Sequence, residues 1–151
     1  MIKSRFRSRS EHALDAKGRL IFPRRFREVL AQCDSETLMV APWKTHLRVY
    51  PIIEWEALET KLMTQGGGQP GIESFVRYVV GGVVECNPDK QGRILLPADL
   101  REDAGLTKEI VLNGMLDWVD IWDKDAWVAE KQATRDDFEG HKVSLSNIGM
   151  F

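Results

Sequence analysis

The residues with the clearest chemical capacity lie in the stretch LDAKGRLIFPRRFRE, residues 14–28. Lys17 and Arg19 flank a glycine there, and Arg24 and Arg25 follow a proline. A lysine ammonium binds phosphate as a point charge, and an arginine guanidinium can donate two parallel hydrogen bonds to phosphate or to guanine. The pattern therefore indicates contact with a polyanion, and we expect nucleic acid to be the partner.

The rest of the sequence gives little support for catalysis, a bound metal ion or a cofactor. Cys33 and Cys86 form no Cys-x-x-Cys pair and have no histidine at ligand spacing, so we expect reduced, wholly or partly buried thiols. No P-loop, nucleophile elbow, HExxH or dinucleotide fingerprint occurs. The acidic cluster RDDFE at 135–139 is typical of a solvated surface. We therefore expect a protein that is not an enzyme and has no small-molecule substrate.

The basic stretch has a second copy, DKQGRILLPADLRE, at residues 89–102. At an offset of 74 residues the two copies align without gaps and share six identities in fourteen positions. The identical pairs are Asp15/Asp89, Gly18/Gly92, Arg19/Arg93, Pro23/Pro97, Arg27/Arg101 and Glu28/Glu102. After a two-residue slip the match resumes, with 37–40 on 109–112 and 47–55 on 119–127. The chain is therefore an internal duplication.

The shared residues predict a tight turn that supports an arginine. Asp15 can accept hydrogen bonds from the backbone of the turn, Gly18 supplies a positive φ, and Arg19 begins the next strand. The counterparts in the second copy are Asp89, Gly92 and Arg93. Each unit then reads as a short strand, a short helix opening at a proline, two strands and a longer helix beginning near Trp55 or Trp127.

The segments outside the repeats are less regular. Residues 54–63 show the spacing of a helix with one apolar side, and 65–71 form a glycine-rich loop. Residues 72–80 are compatible with a helix or a strand. Residues 133–151 have no clear periodicity and are predicted to be a loosely held tail.

Positive charge distinguishes the two copies. Residues 5–27 contain eight Lys/Arg and two acidic residues, whereas the equivalent residues 79–101 contain three of each. Folding alone does not require this difference, so the extra cations are candidates for contact with DNA phosphates and bases. The candidates are Arg19, Lys17, Arg24, Arg25, Arg7, Arg9 and Arg5, with Arg19 and Lys17 placed nearest the base edges.

Structural alternatives exist for each candidate group. Arg19 can pair with Asp15 inside the turn, which is compatible with a DNA contact because the carboxylate can orient the guanidinium. Arg24 and Arg25 can form an ordinary solvated helix face. The N-terminal arginines alternate at strand period and can mark an exposed strand face or a disordered arm. We expect the tryptophans in the repeats to be core or subunit-interface residues.

The chain contains no apolar run near the roughly 20 residues that a membrane helix needs. Its basic N-terminus lacks the apolar region of a secretory signal. We therefore expect a cytoplasmic protein without a membrane partner.

The two D-x-x-G-R units resemble those of the MraZ family of bacterial regulators. The resemblance is carried by the two quoted stretches, AGL at 104–106, YPIIEW at 50–55 and IWDKDAW at 121–127, and covers about residues 8–130. It implies an α+β, β-rich fold: a pseudo-twofold, swapped-hairpin, AbrB-like double-split β-barrel with a few short helices. The implied units are SpoVT-AbrB-like repeats at 8–54 and 82–126, a helical and glycine-rich connector at 55–81, and a C-terminal helix and tail at 127–151.

The resemblance also implies a function. We expect a homo-oligomeric ring that is associated with the nucleoid. It would bind double-stranded DNA at direct repeats in the promoter of the division and cell-wall gene cluster. We expect it to act as a repressor rather than as an activator. AbrB-like units also occur in antitoxins, whose tails wrap a partner protein. The tail residues Phe138, Leu145, Ile148 and Phe151 would be the anchors in that alternative.

Overall fold

The structure is a computed structural model and describes residues 4–151. Strands and helices alternate in the same order in both halves of the chain. The first half contains β1 (Arg9–Ala13), β2 (Arg19–Ile21), α1 (Arg24–Leu30), β3 (Leu38–Pro42), β4 (Leu47–Pro51) and α2 (Ile52–Gln65). A connector follows with α3 (Ile72–Phe75) and a π-helical turn (Val76–Val80). The second half contains β5 (Val84–Cys86), β6 (Arg93–Leu95), α4 (Ala98–Asp103), β7 (Glu109–Gly114), β8 (Val119–Asp123), α5 (Lys124–Asp136) and α6 (Phe138–Ser146).

The strands form two antiparallel sheets. One has six strands in the order β1-β7-β8-β4-β3-β5, and the other is a two-stranded ribbon of β2 and β6. The order of the large sheet is unchanged when each strand is exchanged for its repeat equivalent, so a pseudo-twofold axis passes between β4 and β8. The α+β, β-rich class and the two-unit architecture predicted from the sequence are confirmed.

Strand pairing is exchanged between the two repeats. β1 of the first repeat pairs with β7 of the second, and β5 of the second pairs with β3 of the first. At the ribbon, the Phe22 N–H donates to Gly92 O and the Leu96 N–H donates to Gly18 O, both at 2.9 Å. Neither repeat can therefore complete its sheets alone, because an unpaired strand would leave its backbone groups unsatisfied.

The main core lies between the ribbon, helices α1 and α4, and one face of the large sheet. Phe22 and Leu96, at equivalent positions, are fully buried, and Phe6 meets Phe26 edge to face with ring centroids 5.5 Å apart. Burying each such side chain contributes about 1.5–3 kcal/mol. The core therefore draws on both repeats and fixes the ribbon against the large sheet.

The other face of the large sheet carries a cluster of aromatic and charged side chains. Arg48 on β4 lies between the rings of Trp43 and Trp118, at 3.8 and 4.2 Å from their centroids. Asp120 on β8 is opposite Arg48 and accepts hydrogen bonds from the indole N–H groups of Trp118 and Trp122 at 2.9 and 3.3 Å. This cluster holds β4 to β8 at the pseudo-twofold axis. Trp118 and Trp122, which were expected in the core or at a subunit interface, are thus packed against the body.

Residues 72–80, which the sequence left open, and most of residues 133–151, which it predicted to be a loose tail, are helical. Residues 72–80 form α3 and the π-helical turn, which pack over the aromatic face through Phe75 and Val79. The segment from 133 continues α5 to Asp136 and then forms α6, rather than an irregular tail. Its side chains are nearly all exposed, so it is held to the body by little more than α5. Across residues 4–151, no helix is long and apolar enough to cross a membrane.

Candidate nucleic-acid interface

The first turn holds Arg19 by a closed set of hydrogen bonds. Asp15 Oδ1 accepts the backbone N–H groups of Lys17 and Arg19 at 2.9 Å, and Asp15 Oδ2 accepts Arg19 Nε at 2.7 Å. The Gly18 N–H donates to Asp15 O at 3.0 Å with φ at +84°, a conformation that favours glycine. The predicted turn chemistry is therefore present, including the pairing of Arg19 with Asp15.

The second turn repeats this geometry. Asp89 Oδ1 accepts the N–H groups of Gln91 and Arg93 at 2.9 Å, Asp89 Oδ2 accepts Arg93 Nε at 2.8 Å, and Gly92 has φ at +79°. The Asp–Arg pairing consequently does not distinguish the two repeats. It is an element of the fold that presents one arginine at each end of the ribbon.

Both aspartates are ionised far below neutral pH. The hydrogen bond from the Arg19 backbone N–H, reinforced by the Arg19 side chain and the Lys17 N–H, lowers the pKa of Asp15 to about 2. The equivalent bonds, led by the Arg93 N–H, lower the pKa of Asp89. Each carboxylate therefore stays charged and keeps its arginine oriented.

Each turn is covered by an arginine from the other repeat. A Cβ placed on Gly18 would lie 2.6 Å from Arg101 Nε, and one placed on Gly92 would lie 2.8 Å from Arg27 Nη1. Arg27 Nε donates to Phe22 O at 3.1 Å, and Arg101 Nε donates to Leu96 O at 3.0 Å. Arg27 and Arg101 are an identical pair in the two copies, but no local sequence pattern indicates this role.

The cations at the start of α1 point into solvent. Arg24 and Arg25 are exposed, and Arg24 approaches Glu28 at 3.3 Å with side chains that are 86% and 65% exposed. The equivalent residues on α4 are also exposed, but Ala98 is uncharged and Asp99 is acidic. Because the contact of Arg27 with Gly92 seats α1 beside the second turn, strand exchange brings the basic helix of one repeat to the turn of the other.

The N-terminal arginines lie apart from the turns. Arg5 forms an ion pair with Asp117 at 3.0 Å, and the Arg9 guanidinium lies 5.2 Å from the Trp127 ring centroid. Phe6 exchanges two backbone hydrogen bonds with Leu116 at 3.0 and 2.8 Å, so this segment is fixed to the body and is not a disordered arm. Arg7 is exposed. At about 3.3 Å per strand residue, Arg9 is roughly 20 Å along β1 from the first turn.

The candidate residues thus form two groups. Lys17, Arg19, Arg24 and Arg25 surround the ribbon, whereas Arg9 begins β1 at the end away from the first turn, and Arg5 and Arg7 precede it. Lys90 on the second turn, exposed like Lys17, belongs to the first group, although it was not among the residues predicted to bind DNA. Within the described range, no group of three His, Cys, Asp or Glu residues is arranged to hold a metal ion.

Comparison with known proteins identifies relatives over nearly the whole chain. The sequence model of one family, described as "MraZ protein, putative antitoxin-like", matches residues 6–66 and 79–143, which correspond to the two repeats. A protein of Syntrophobacter fumaroxidans named "Transcriptional regulator MraZ" is 41% identical over 150 residues, covering 99% of this chain and all of the relative. Proteins of the same name from Desulfitobacterium hafniense and Pediococcus pentosaceus are 44% and 38% identical and cover 92% and 96% of this chain, with 95% and 99% of their own lengths matched.

Proposed function

This chain belongs to the MraZ family, and we propose that it is a transcriptional regulator that binds double-stranded DNA through its two Asp-x-x-Gly-Arg turns and the basic start of α1. The observation that carries this proposal is the pair of Asp-anchored arginines, Arg19 and Arg93, presented beside exposed cations on α1. The name shared by the relatives supports the same function.

The turns are suited to direct contact with bases. The bond to Asp15 uses Nε of Arg19, and a guanine edge is bound by the two terminal nitrogens of an arginine. Because the carboxylate already fixes the guanidinium plane, binding loses little side-chain entropy. Lys17, Arg24 and Arg25 contribute phosphate contacts, which supply affinity without sequence preference.

The N-terminal arginines contact a different part of the duplex in this proposal. The distance of roughly 20 Å between Arg9 and the first turn corresponds to several phosphates along one strand, at about 3.4 Å per phosphate. Arg5, Arg7 and Arg9 therefore bind the backbone outside the base pairs that the turns reach.

Several subunits act together. One subunit with a few phosphate contacts binds weakly, with Kd around 10⁻⁴–10⁻⁶ M at physiological salt. A ring of identical subunits on direct repeats about one helical turn apart gains about 10²–10⁴ in affinity from linked binding. We place these repeats in the promoter of the division and cell-wall gene cluster, where an occupied site represses transcription. Because its target is chromosomal DNA, the protein acts in the cytoplasm on the nucleoid.

The test is binding of the full-length protein to DNA from upstream of its own gene, measured by fluorescence anisotropy over a salt series. A scrambled fragment of equal length and composition is the control, and light scattering gives the mass of the free protein. We expect tighter binding to the upstream fragment, a steep salt dependence and a multi-subunit mass. Equal binding to both fragments would refute sequence-specific regulation.

A second candidate function rests on the C-terminal helix. Phe138, Ile148 and Phe151 are exposed and Leu145 is half-buried, which leaves an apolar surface suited to a protein partner, as in an antitoxin. A stoichiometric small protein that co-purifies with the full chain, and that is absent after removal of residues 138–151, would favour this candidate. Unchanged promoter binding by the shortened chain would separate the two functions.

A further inference from the structure

The outer face of the β2–β6 ribbon carries four side chains from both repeats. Arg19 is opposite Leu95, and Ile21 is opposite Arg93. The intervening residues Leu20 and Ile94 face the core. We call the surface formed by Arg19, Ile21, Arg93 and Leu95 the ribbon face. On it, each arginine lies across the ribbon from an aliphatic side chain.

The two aliphatic side chains of the ribbon face are strongly exposed to solvent. Ile21 is 56% exposed and Leu95 is 52% exposed, whereas Leu20 and Ile94 between them are 2% and 0% exposed. Single exposed hydrophobic residues are common on protein surfaces. Here two of them occupy equivalent positions in the two repeats, so the duplication keeps an apolar side chain at a solvent-facing position in both copies.

The surroundings of this apolar pair are cationic. Arg19 and Arg93 flank it on the ribbon, the exposed Lys17 and Lys90 lie on the adjoining turns, and α1 adds its basic start beside the second turn. A purely apolar partner would have to desolvate these charges, which is costly. The DNA major groove matches both features, because phosphates line its edges and the C5-methyl group of thymine projects from its floor.

The dimensions agree with this occupant. A two-stranded ribbon fits the major groove, which is about 12 Å wide. Directly opposed residues are about 5 Å apart and alternate residues along a strand about 7 Å apart, so the two arginine Cα atoms are separated by roughly 8 Å. At about 3.4 Å per base pair, they span two to three base-pair steps.

We propose that the ribbon face enters the major groove, where Ile21 and Leu95 contact thymine methyl groups while Arg19 and Arg93 bind guanines two or three base pairs apart. This inference rests on the proposed function and specifies its target as a short mixed G/T element for each subunit. The inference also gives the second repeat a direct contact with DNA bases. The balanced charges of residues 79–101 alone would indicate a purely structural role for that repeat.

The experiment uses the upstream DNA fragment with each thymine of the bound region replaced in turn by uracil, which lacks only the C5-methyl group. We expect wild-type affinity to fall about three- to fivefold at one or two thymines, the effect of removing one buried methyl group. Ile21→Ala and Leu95→Ala should each abolish the preference for thymine at one of these positions. Ile53→Ala is the matched control, because Ile53 is 57% exposed and lies on α2, outside the ribbon face.

The outcomes separate the inference from the function on which it rests. Specific binding by the wild type with no weakening at any uracil would overturn methyl recognition and leave the regulator intact. Absence of specific binding by the wild type would reject the proposed function itself. If Ile21→Ala and Leu95→Ala lower the mass in solution but retain the thymine preference, the aliphatic pair is a contact between subunits and the inference is wrong.

Discussion

The guanidinium group of Arg27 lies directly against Gly92, a residue of the other repeat. Its pseudo-twofold counterpart is Arg101 against Gly18. Each arginine is also fixed by a hydrogen bond to a main-chain oxygen of its own repeat. The two Gly–Arg contacts therefore connect the turns to helices α1 and α4 across the repeat boundary, which explains why all four residues are retained in both copies.

Replacement of Gly92 by alanine should destabilise the fold through two effects. The new Cβ meets Arg27 atoms at 2.8–3.0 Å, and φ of +79° adds about 1–2 kcal/mol for an L-residue. The control is Gly105→Ala, where φ is +62° but a Cβ would have open space. Urea unfolding should show a destabilisation by Gly92→Ala that exceeds the control by about 1 kcal/mol or more, as expected for overpacking. Equal destabilisation by both variants would mean that Arg27 moves aside without cost.

The turns and the duplication were predictable because local chemistry determines them. A glycine with positive φ and an aspartate two residues before a turn N–H specify the loop in either copy. Strand exchange was expected from the family resemblance, which implies swapped hairpins, and not from alternation. The spacing of apolar residues tells which face of a strand is buried and not which strand is its neighbour. As a result, apolar spacing alone does not place α1 beside Gly92.

The difference in charge between the two copies also identifies only part of the candidate site. It correctly separates the basic α1 from the acidic α4, but it weights Arg5 and Arg9 as heavily as Arg24. Their ion-pair and stacking partners, Asp117 and Trp127, are more than 100 residues away in the chain. Contacts of that kind depend on the completed sheet and leave no local pattern.

The basic start of α1 should set the salt dependence of DNA binding. Changing Arg24 to Ala together with Arg25 to Asp gives the first two positions of this helix the residues found in α4. The change removes up to two cations that neutralise phosphates and adds one acidic side chain. The slope of log K against log salt should become less negative by about 0.9 for each phosphate that is no longer neutralised. Both side chains are exposed, so the melting temperature should change little.

The reciprocal change provides the matched variant. Ala98→Arg with Asp99→Arg puts the same two cations on α4, beside the first turn, and should steepen the salt slope if the ribbon and both helices face the duplex. If neither pair of substitutions alters the slope, α1 is an ordinary solvated helix and does not touch DNA.

The pair formed by Arg48 and Asp120 should be essential to stability. These residues are equivalents in the duplication and lie opposite each other on β4 and β8. Asp120→Ala leaves the enclosed Arg48 charge without its ion-pair partner, 4.0 Å away, and two indole N–H groups without their acceptor. The unfolding free energy should therefore fall by about 3–5 kcal/mol. Asp117→Ala, which breaks the exposed pair with Arg5, should cost no more than about 1 kcal/mol. Similar destabilisation by both variants in urea unfolding would contradict the role of the cluster.

Acid should weaken the first turn in a defined pH window. Because its pKa falls from 3.8 to about 2 on folding, Asp15 contributes stability that is present above about pH 4 and is lost as the pH falls toward 2. Asp15→Asn lacks this titration, so its unfolding free energy should change less than that of the wild type between pH 4 and pH 2. Carbon-13 NMR of the Asp15 carboxyl group gives the pKa directly, and a midpoint near 4 would show that the turn does not hold the carboxylate.

Arg19 should be required for DNA binding and dispensable for folding. Arg19→Ala removes one bidentate base contact, worth about 1–3 kcal/mol, and should weaken specific binding roughly 10- to 100-fold. Its ion pair with Asp15 is partly exposed, so unfolding free energy and mass should change little. Arg19→Lys keeps the charge but lacks the planar fork, and should therefore retain the salt slope while losing preference for the upstream fragment.

Arg93→Ala breaks an equivalent pair and should weaken binding to a similar degree, because the two arginines share the ribbon face. Undiminished binding by Arg19→Ala would refute its assignment, and weakening confined to Arg19→Ala would restrict base recognition to the first repeat.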